Sequence, residues 1–224
     1  MRKFILLFII TIIPNIVFSQ EKKGISDDIT VSGLVQIGSG YLALNGLHPT
    51  DNFTFHTELA ITHKSGIGLY FLSSDDFSQE KFGRIRFFDL GYLKSWDKLS
   101  LYTDFGYFFM DNYKDGKCYR TFVKLSYTHR TWRYETMNML RYFPKNSEDK
   151  FNYTLYLKAN KTLFKDLDLL AQVWYDNVYK DHVYAIAGAQ LNLKKGFFLK
   201  GLVQYKDNKF TPMIQTGWSF TTKK

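Results

Sequence analysis

The sequence predicts an all-β fold: a single up-and-down antiparallel β-barrel of about twelve strands that crosses a membrane. Apolar and polar residues alternate along most of the chain after residue 28, which is typical of strands with two different faces. Long and short connections alternate between these segments. After residue 20 no window holds about 18 consecutive apolar residues, so we expect no further helix that spans a membrane.

The composition excludes several other classes of protein. The chain has 224 residues, of which 45% are hydrophobic, 18% aromatic and 23% charged, and this excludes a disordered chain. Its single cysteine excludes a disulfide scaffold and a cysteine-based zinc cluster. The formal net charge of +9 fits an anionic membrane surface or a nucleic acid. The export signal described next argues against nucleic acid as a partner.

Residues 1–19 have the three parts of a secretory signal peptide. A basic start (MRK) and an apolar run (FILLFIITII) precede the sequence VFS, after which we predict cleavage. The apolar run is too short for a membrane anchor, which needs about 20 residues. We therefore expect a cleaved signal over residues 1–19, a polar periplasmic tail over residues 20–28 and the barrel over residues 29–224.

Twelve segments follow the alternating pattern, most clearly residues 52–63 (NFTFHTELAITH). The predicted strands are 29–43, 52–63, 66–73, 83–96, 99–110, 119–128, 131–143, 151–162, 167–176, 183–193, 197–206 and 210–221. A bulge is predicted at Phe87–Phe88. Ten strands are the alternative if the third and fourth segments are misread.

The connections predict how the barrel is oriented. Those that follow odd-numbered strands are longer and polar (LNGLHPTD, SDDFSQEKF, DNYKDGKC, PKNSEDK, NVYKDH, KDNK), whereas the others are tight (KSG, DK, HR, FKD, KKG). Long and short connections alternate without exception in this interpretation. A transmembrane barrel has short periplasmic turns and longer outer loops, and an even number of strands then places both termini in the periplasm.

Aromatic residues indicate which face of the barrel meets lipid. Trp96, Trp132 and Trp218 all fall near predicted periplasmic turns, and several Tyr and Phe residues fall near the outer rim. Amphipathic rings settle at the depth of lipid headgroups, so the sequence predicts an aromatic girdle that contains these three tryptophans. Ordinary strand propensity is the alternative explanation.

Charged residues on the other face are candidates for lining the lumen. By alternation the inward set is Glu58, Arg84, Arg86, Asp104, Arg120, Lys124, Arg133, Glu135, Arg141, Lys158, Asp168, Asp176, Lys200 and Lys206, which is nine bases against five acids. A partly cationic lumen favours anionic solutes. Alternatively, Glu58, Asp104 and Glu135 are counter-ions in a salt-bridged core that plugs the barrel. Tyr102 either lines a solute path or packs in the interior.

The chain resembles the small outer-membrane β-barrel proteins of Gram-negative bacteria. The resemblance covers the mature chain and rests on the signal MRKFILLFIITIIPNIVFS, the alternating segments and the last strand FTPMIQTGWSF. Members of this class often end in an aromatic residue, whereas here four residues follow Phe220. Twelve-stranded members include nucleoside channels, a phospholipase and a lipid A deacylase, and no motif in this sequence selects among them.

This resemblance implies a protein in contact with outer-membrane lipid, and our first hypothesis is a small-solute channel like a porin. A plugged barrel with a structural or interaction role is the alternative. A lipid-modifying enzyme is a third hypothesis, for which Ser32, His56 and Glu58 are the candidate residues. A soluble secreted barrel is the alternative for location. The scattered histidines predict no metal site, and no phosphate-binding loop or dinucleotide motif predicts a cofactor.

Overall fold

The structure is a computed structural model that describes residues 28–43, 46–76, 84–110, 117–145, 150–177 and 182–222. The predicted signal peptide and nearly all of the predicted periplasmic tail lie outside the described residues. Within the described ranges, no helix has the length and apolar character needed to cross a membrane.

Twelve strands make up most of the described chain. They are β1 (Ile29–Ala43), β2 (Gly46–His63), β3 (Ile67–Asp76), β4 (Arg84–Trp96), β5 (Leu99–Met110), β6 (Lys117–His129), β7 (Trp132–Tyr142), β8 (Phe151–Phe164), β9 (Leu167–Asp176), β10 (His182–Asn192), β11 (Phe197–Lys206) and β12 (Lys209–Thr221). A short 3-10 turn, Lys194–Gly196, joins β10 to β11.

The sheet closes on itself. Each strand pairs antiparallel with its neighbours in sequence, and β1 pairs with β12, with Val35 opposite Trp218. A closed sheet has no free edge, so the backbone donors and acceptors of each strand find partners in the two adjacent strands. The predicted all-β, up-and-down antiparallel barrel of twelve strands is confirmed, and the alternative of ten strands is wrong.

The two ends of the barrel differ in their connections. Residues 64–66, 97–98, 130–131, 165–166 and 193–196 join strands at one end, which we call the short-turn end. The other six connections lie at the opposite end, which we call the loop end, and several of them fall partly outside the described residues.

Two connections at the loop end are shorter than predicted. Asp207 and Asn208 alone join β11 to β12, with φ values of 51° and 59°. This is the two-residue hairpin turn with two left-handed positions, which Asp and Asn tolerate. β1 and β2 also continue to Ala43 and Gly46, so most of the predicted loop LNGLHPTD is strand. The prediction that long and short connections alternate without exception is therefore wrong here, because hairpin pairing satisfies the backbone groups that a loop leaves to water.

The predicted bulge at Phe87–Phe88 is wrong, since β4 pairs with both neighbours without a register shift. A shift occurs instead in β1, between Gly38 and Gly40. There the Thr54 hydroxyl donates to the carbonyl oxygens of Gly38 (3.1 Å) and Gly40 (2.8 Å). These bonds satisfy backbone acceptors where the bulge interrupts the ladder.

Candidate functional site: the interior of the barrel

The two faces of the sheet differ in chemistry. Phe88, Phe105 and Ile214 are more than half exposed on the outward face, whereas Asp89 and Asp104, which point the other way from the same strands as Phe88 and Phe105, are almost completely buried. Successive side chains of a strand alternate between faces, so one sequence pattern produces both surfaces. The outward face is dominated by apolar side chains, and the inward face holds most of the buried charges.

A cavity of about 650 Å³, which we call the vestibule, occupies the half of the interior next to the short-turn end. Its wall contains polar and charged side chains among apolar ones, and its floor is apolar. Wall residues include Glu58, Tyr70, Tyr102, Lys124 and Arg133, and floor residues include Phe122, Met137, Met139 and Trp174.

Glu135 is the centre of a charged group beside the vestibule. Its carboxylate accepts from Arg133 Nη2 at 2.8 Å, from Lys158 Nζ at 3.1 Å and from the Ser126 hydroxyl at 3.3 Å. These partners come from β6, β7 and β8, which are adjacent in the barrel. Two of the predicted lumen bases therefore share one buried acid, and the group of three keeps a formal charge of one positive unit.

Lys124 on the vestibule wall and Lys200 on the inward face of β11 have no ion pair among the described residues. The Lys124 ammonium lies 5.7 Å from the centre of the Tyr102 ring, and that of Lys200 lies 5.2 Å from the Phe198 ring. Both interact electrostatically with Glu58 on β2. Lys124 is therefore a cation that a solute in the vestibule would meet without a direct ion pair.

The candidate hydrolase residues do not come together. His56 Nε2 and Glu58 Oε1 are 2.7 Å apart. Ser32, however, lies opposite Ala60, whereas His56 lies opposite Gln36, four residues further along β1. That offset is about 13 Å along the strand. A nucleophile and its base must lie within hydrogen-bond distance, so this geometry does not support the enzyme hypothesis for these residues.

An ion cluster centred on Arg120 also lines the vestibule. Arg120 Nε donates to Asp89 Oδ1 (3.1 Å), Nη2 donates to Asp89 Oδ2, and Nη2 also reaches Asp104 Oδ2 (3.5 Å). All three side chains are less than 10% exposed. The guanidinium carbon also lies 4.0 Å from the centre of the Phe87 ring and 5.0 Å from that of Phe122. Arginine suits such a position because it can bind a carboxylate and stack on rings at once.

Gly106 makes the bond between Arg120 and Asp89 possible. The sheet register places Gly106 between them, opposite Asp89 on β4 and Arg120 on β6. A Cβ on Gly106 would lie 2.6 Å from the Phe88 carbonyl oxygen and closer still to the Asp89 carboxylate. The absence of a side chain lets two charged groups meet across the intervening strand.

We expect Gly106→Ala to destabilise the barrel by about 1–3 kcal/mol, because the methyl group displaces the buried Asp89 carboxylate. Gly201→Ala is the matched control, since no atom lies within 4 Å of a Cβ added there. That change should be neutral or stabilise by about 0.4–1 kcal/mol through the unfolded state. Urea unfolding followed by tryptophan fluorescence measures both, and equal effects would contradict this role of Gly106.

The half of the interior next to the loop end is packed. One apolar cluster contains Met137, Met139, Tyr156, Trp174, Tyr184, Ile186, Leu202 and Met213, and the other contains Ile85, Phe87, Phe108, Cys118 and Phe143. Among them Arg141 and Asp176, both fully buried, form an ion pair of 2.7 Å. These clusters fill much of the described interior in this half, so they are the candidate constriction of the lumen.

The structure places most predicted lumen residues on the inward face. Glu58, Tyr102, Arg120, Lys124, Arg133, Glu135 and Lys158 lie there. Arg86 does not: it alternates with the buried Ile85 and Phe87, and its guanidinium lies 5.2 Å from the ring centre of the outward Phe109. Its predicted inward orientation is wrong, because the odd-numbered residues of β4 are the ones that face inward. Arg84 begins β4, and its side chain lies outside the described part of the structure.

The charge balance of the interior also differs from the prediction. Asp89, which the sequence analysis did not select, is one of the buried acids. The described inward set has the bases Arg120, Lys124, Arg133, Arg141, Lys158, Lys200, Lys206 and Lys209, and the acids Glu58, Asp89, Asp104, Glu135, Asp168 and Asp176. These are eight bases and six acids, whereas the prediction was nine bases and five acids. The described interior therefore carries only a small net positive charge.

The three predicted girdle tryptophans face outward near the short-turn end. Trp96 precedes the turn 97–98 and is 48% exposed, and Trp132 follows the turn 130–131. The Trp218 Nε1 donates to the carbonyl oxygen of Lys195 at 2.9 Å, next to the turn 193–196.

Within the described ranges, no group of three or more His, Cys, Asp or Glu side chains could hold a metal ion.

Comparison with solved structures identifies the fold. No protein-family model and no curated protein matches the sequence. The KdgM porin superposes with a TM-score of 0.63 at 12% identity, covering 84% of this chain and 99% of that one. KdgM in complex with disordered oligogalacturonate gives 0.62 at 11% identity (85% and 99%), and the NanC porin gives 0.56 at 12% identity (88% and 99%). The chain therefore has the closed-barrel fold of the KdgM and NanC porins.

Proposed function

We propose that the protein is an outer-membrane β-barrel that acts as a narrow channel for small polar solutes. The observation that carries this proposal is the two-sided barrel, with large apolar side chains exposed outside and a vestibule of about 650 Å³ inside that is lined by both charged and apolar side chains. The porin fold supports it. The predicted signal for export is consistent with this location.

The outward surface supports placement in lipid. A soluble protein rarely exposes contiguous apolar patches larger than a few hundred Å². Here large hydrophobic side chains are exposed on the outward faces of all twelve strands. A lysine or arginine at the middle of a bilayer would cost about 2–4 kcal/mol, and the central outward positions of these strands carry few charges. In the proposed orientation the short-turn end, the Trp96, Trp132 and Trp218 girdle and both termini face the periplasm.

The vestibule supports the passage of polar solutes of limited size. Its wall offers hydroxyls, carboxylates and ammonium groups, and the two lysines without ion pairs, Lys124 and Lys200, favour anionic solutes. One of the KdgM structures was solved with an oligogalacturonate. Because the described interior carries only a small net positive charge, we propose at most a weak preference for anions, set by these two lysines.

A plugged barrel is the second candidate, and one observation favours it. The half next to the loop end is largely filled by two apolar clusters and by the pair of Arg141 and Asp176. If these side chains form the constriction, a channel opens only by their movement, whereas a structural barrel would keep them in place.

Two measurements test the proposal. We expect the mature protein in the outer-membrane fraction of Gram-negative cells and its extraction only by detergent; recovery in the soluble fraction would contradict placement in lipid. In planar bilayers we expect small, discrete ion currents from the purified barrel. If the barrel is membrane-bound but carries no current, the channel proposal is overturned and the plugged barrel remains as the function.

A further inference from the structure

An apolar groove of about 580 Å³ crosses the outward face from β5 to β10. Its base is formed by Ala159, Ala171 and Ala187, which lie opposite one another on β8, β9 and β10. Larger side chains, among them Tyr134 and Val173, stand along its sides and are almost half exposed. The groove exists because three neighbouring strands place methyl groups where the rest of this face carries large residues.

The groove ends beside positive charge at the short-turn end. Tyr134 stacks on Trp132, with ring centres 5.8 Å apart. The Lys161 ammonium lies 5.1 Å from the centre of the same Trp132 ring, and Lys161 is two residues from Ala159 on the same face of β8. The nearby turns add Lys98 and Arg130. An apolar groove that ends beside a tryptophan and a lysine is complementary to a ligand with an acyl chain and an anionic headgroup.

We propose that this groove binds an anionic glycerophospholipid, with one acyl chain along the three alanines and the phosphate against Lys161. The inference rests on the proposed membrane location. Unfilled, the groove would forfeit van der Waals contacts along its whole length, and a flexible acyl chain restores them. A second copy of the chain fits less well, because a two-fold dimer sets the same patch against itself and two concave surfaces leave a void.

Native mass spectrometry of the detergent-purified barrel tests this site, with palmitoyl-oleoyl phosphatidylglycerol and phosphatidylethanolamine supplied in equal amounts. We expect the wild type to retain one phosphatidylglycerol. Ala171→Leu fills the groove and should reduce this retention several-fold. Lys161→Gln should abolish the preference for phosphatidylglycerol while some phosphatidylethanolamine remains. Gly201→Leu is the control, since it adds bulk to the outward face where an added Cβ meets nothing within 4 Å, and it should leave retention unchanged.

Equal retention by the wild type and Ala171→Leu would overturn the lipid site. Dimers that disappear in Ala171→Leu would also overturn it and assign the groove to a second copy. Failure of this inference differs from failure of the proposed function: a barrel found in the outer membrane that retains no phosphatidylglycerol refutes only the lipid site, whereas a soluble protein refutes the membrane location itself.

Discussion

Arg141→Ala is expected to lower the free energy of unfolding by about 3–5 kcal/mol, because it removes the cation that pairs with the buried Asp176 carboxylate. Arg141 Nη2 donates to Asp176 Oδ2 and to the Thr154 hydroxyl, both at 2.7 Å. Neither Arg141 nor Asp176 is exposed at all. Urea unfolding of the barrel refolded into phospholipid vesicles measures the change.

Arg133→Ala is the matched control for this variant. Arg133 also pairs with an acid, Glu135 at 2.8 Å, but its own side chain is 52% exposed in the vestibule. Exposed pairs contribute about 0–1 kcal/mol, and Glu135 keeps Lys158 as a partner. Removing both buried charges with Arg141→Met and Asp176→Asn should recover part of the loss. If Arg141→Ala and Arg133→Ala destabilise equally, burial does not set the strength of these pairs.

Trp174→Ala is expected to raise the single-channel conductance several-fold. Trp174 forms part of the vestibule floor and lies between Tyr156, whose ring is tilted by 45° at a centroid distance of 4.4 Å, and Tyr184, whose parallel ring lies at 6.0 Å. Its indole also donates to Gln172 at 3.1 Å. Removing the ring opens space in the apolar cluster around it, so ions pass more easily if this cluster is the constriction. Conductance steps in planar bilayers measure the effect.

Trp96→Ala is the control, since Trp96 is on the outward face and should leave the conductance unchanged. The cavity in Trp174→Ala is also expected to lower stability by about 3–5 kcal/mol, so folding is checked first by the mobility of the unheated protein on SDS gels. A folded Trp174→Ala barrel with wild-type conductance would place the constriction elsewhere. No current from either the variant or the wild type would support the plugged barrel.

Alternation predicted the faces correctly where it ran uninterrupted. In β7 the pattern from Arg133 to Arg141 gives the inward positions that the structure has. It failed in β4, where the adjacent Phe87 and Phe88 suggested a bulge. A shift of one residue reverses every side chain of a strand, so taking the even-numbered positions of β4 as inward assigned Arg86 to the wrong face. Unbroken alternation from Ile85 would have placed Asp89 inside.

The sequence by itself determined the all-β class, the twelve strands and most of the inward and outward residues. These properties depend on a period of two residues and on local turn chemistry, both of which can be recognised within a short segment of the sequence. Only the tertiary structure decided which inward charges meet. Arg120 binds Asp89, 31 residues away, and Arg141 binds Asp176, 35 residues away. Such partners depend on strand register and on the closure of the barrel, because these bring together side chains from strands that are not adjacent in sequence.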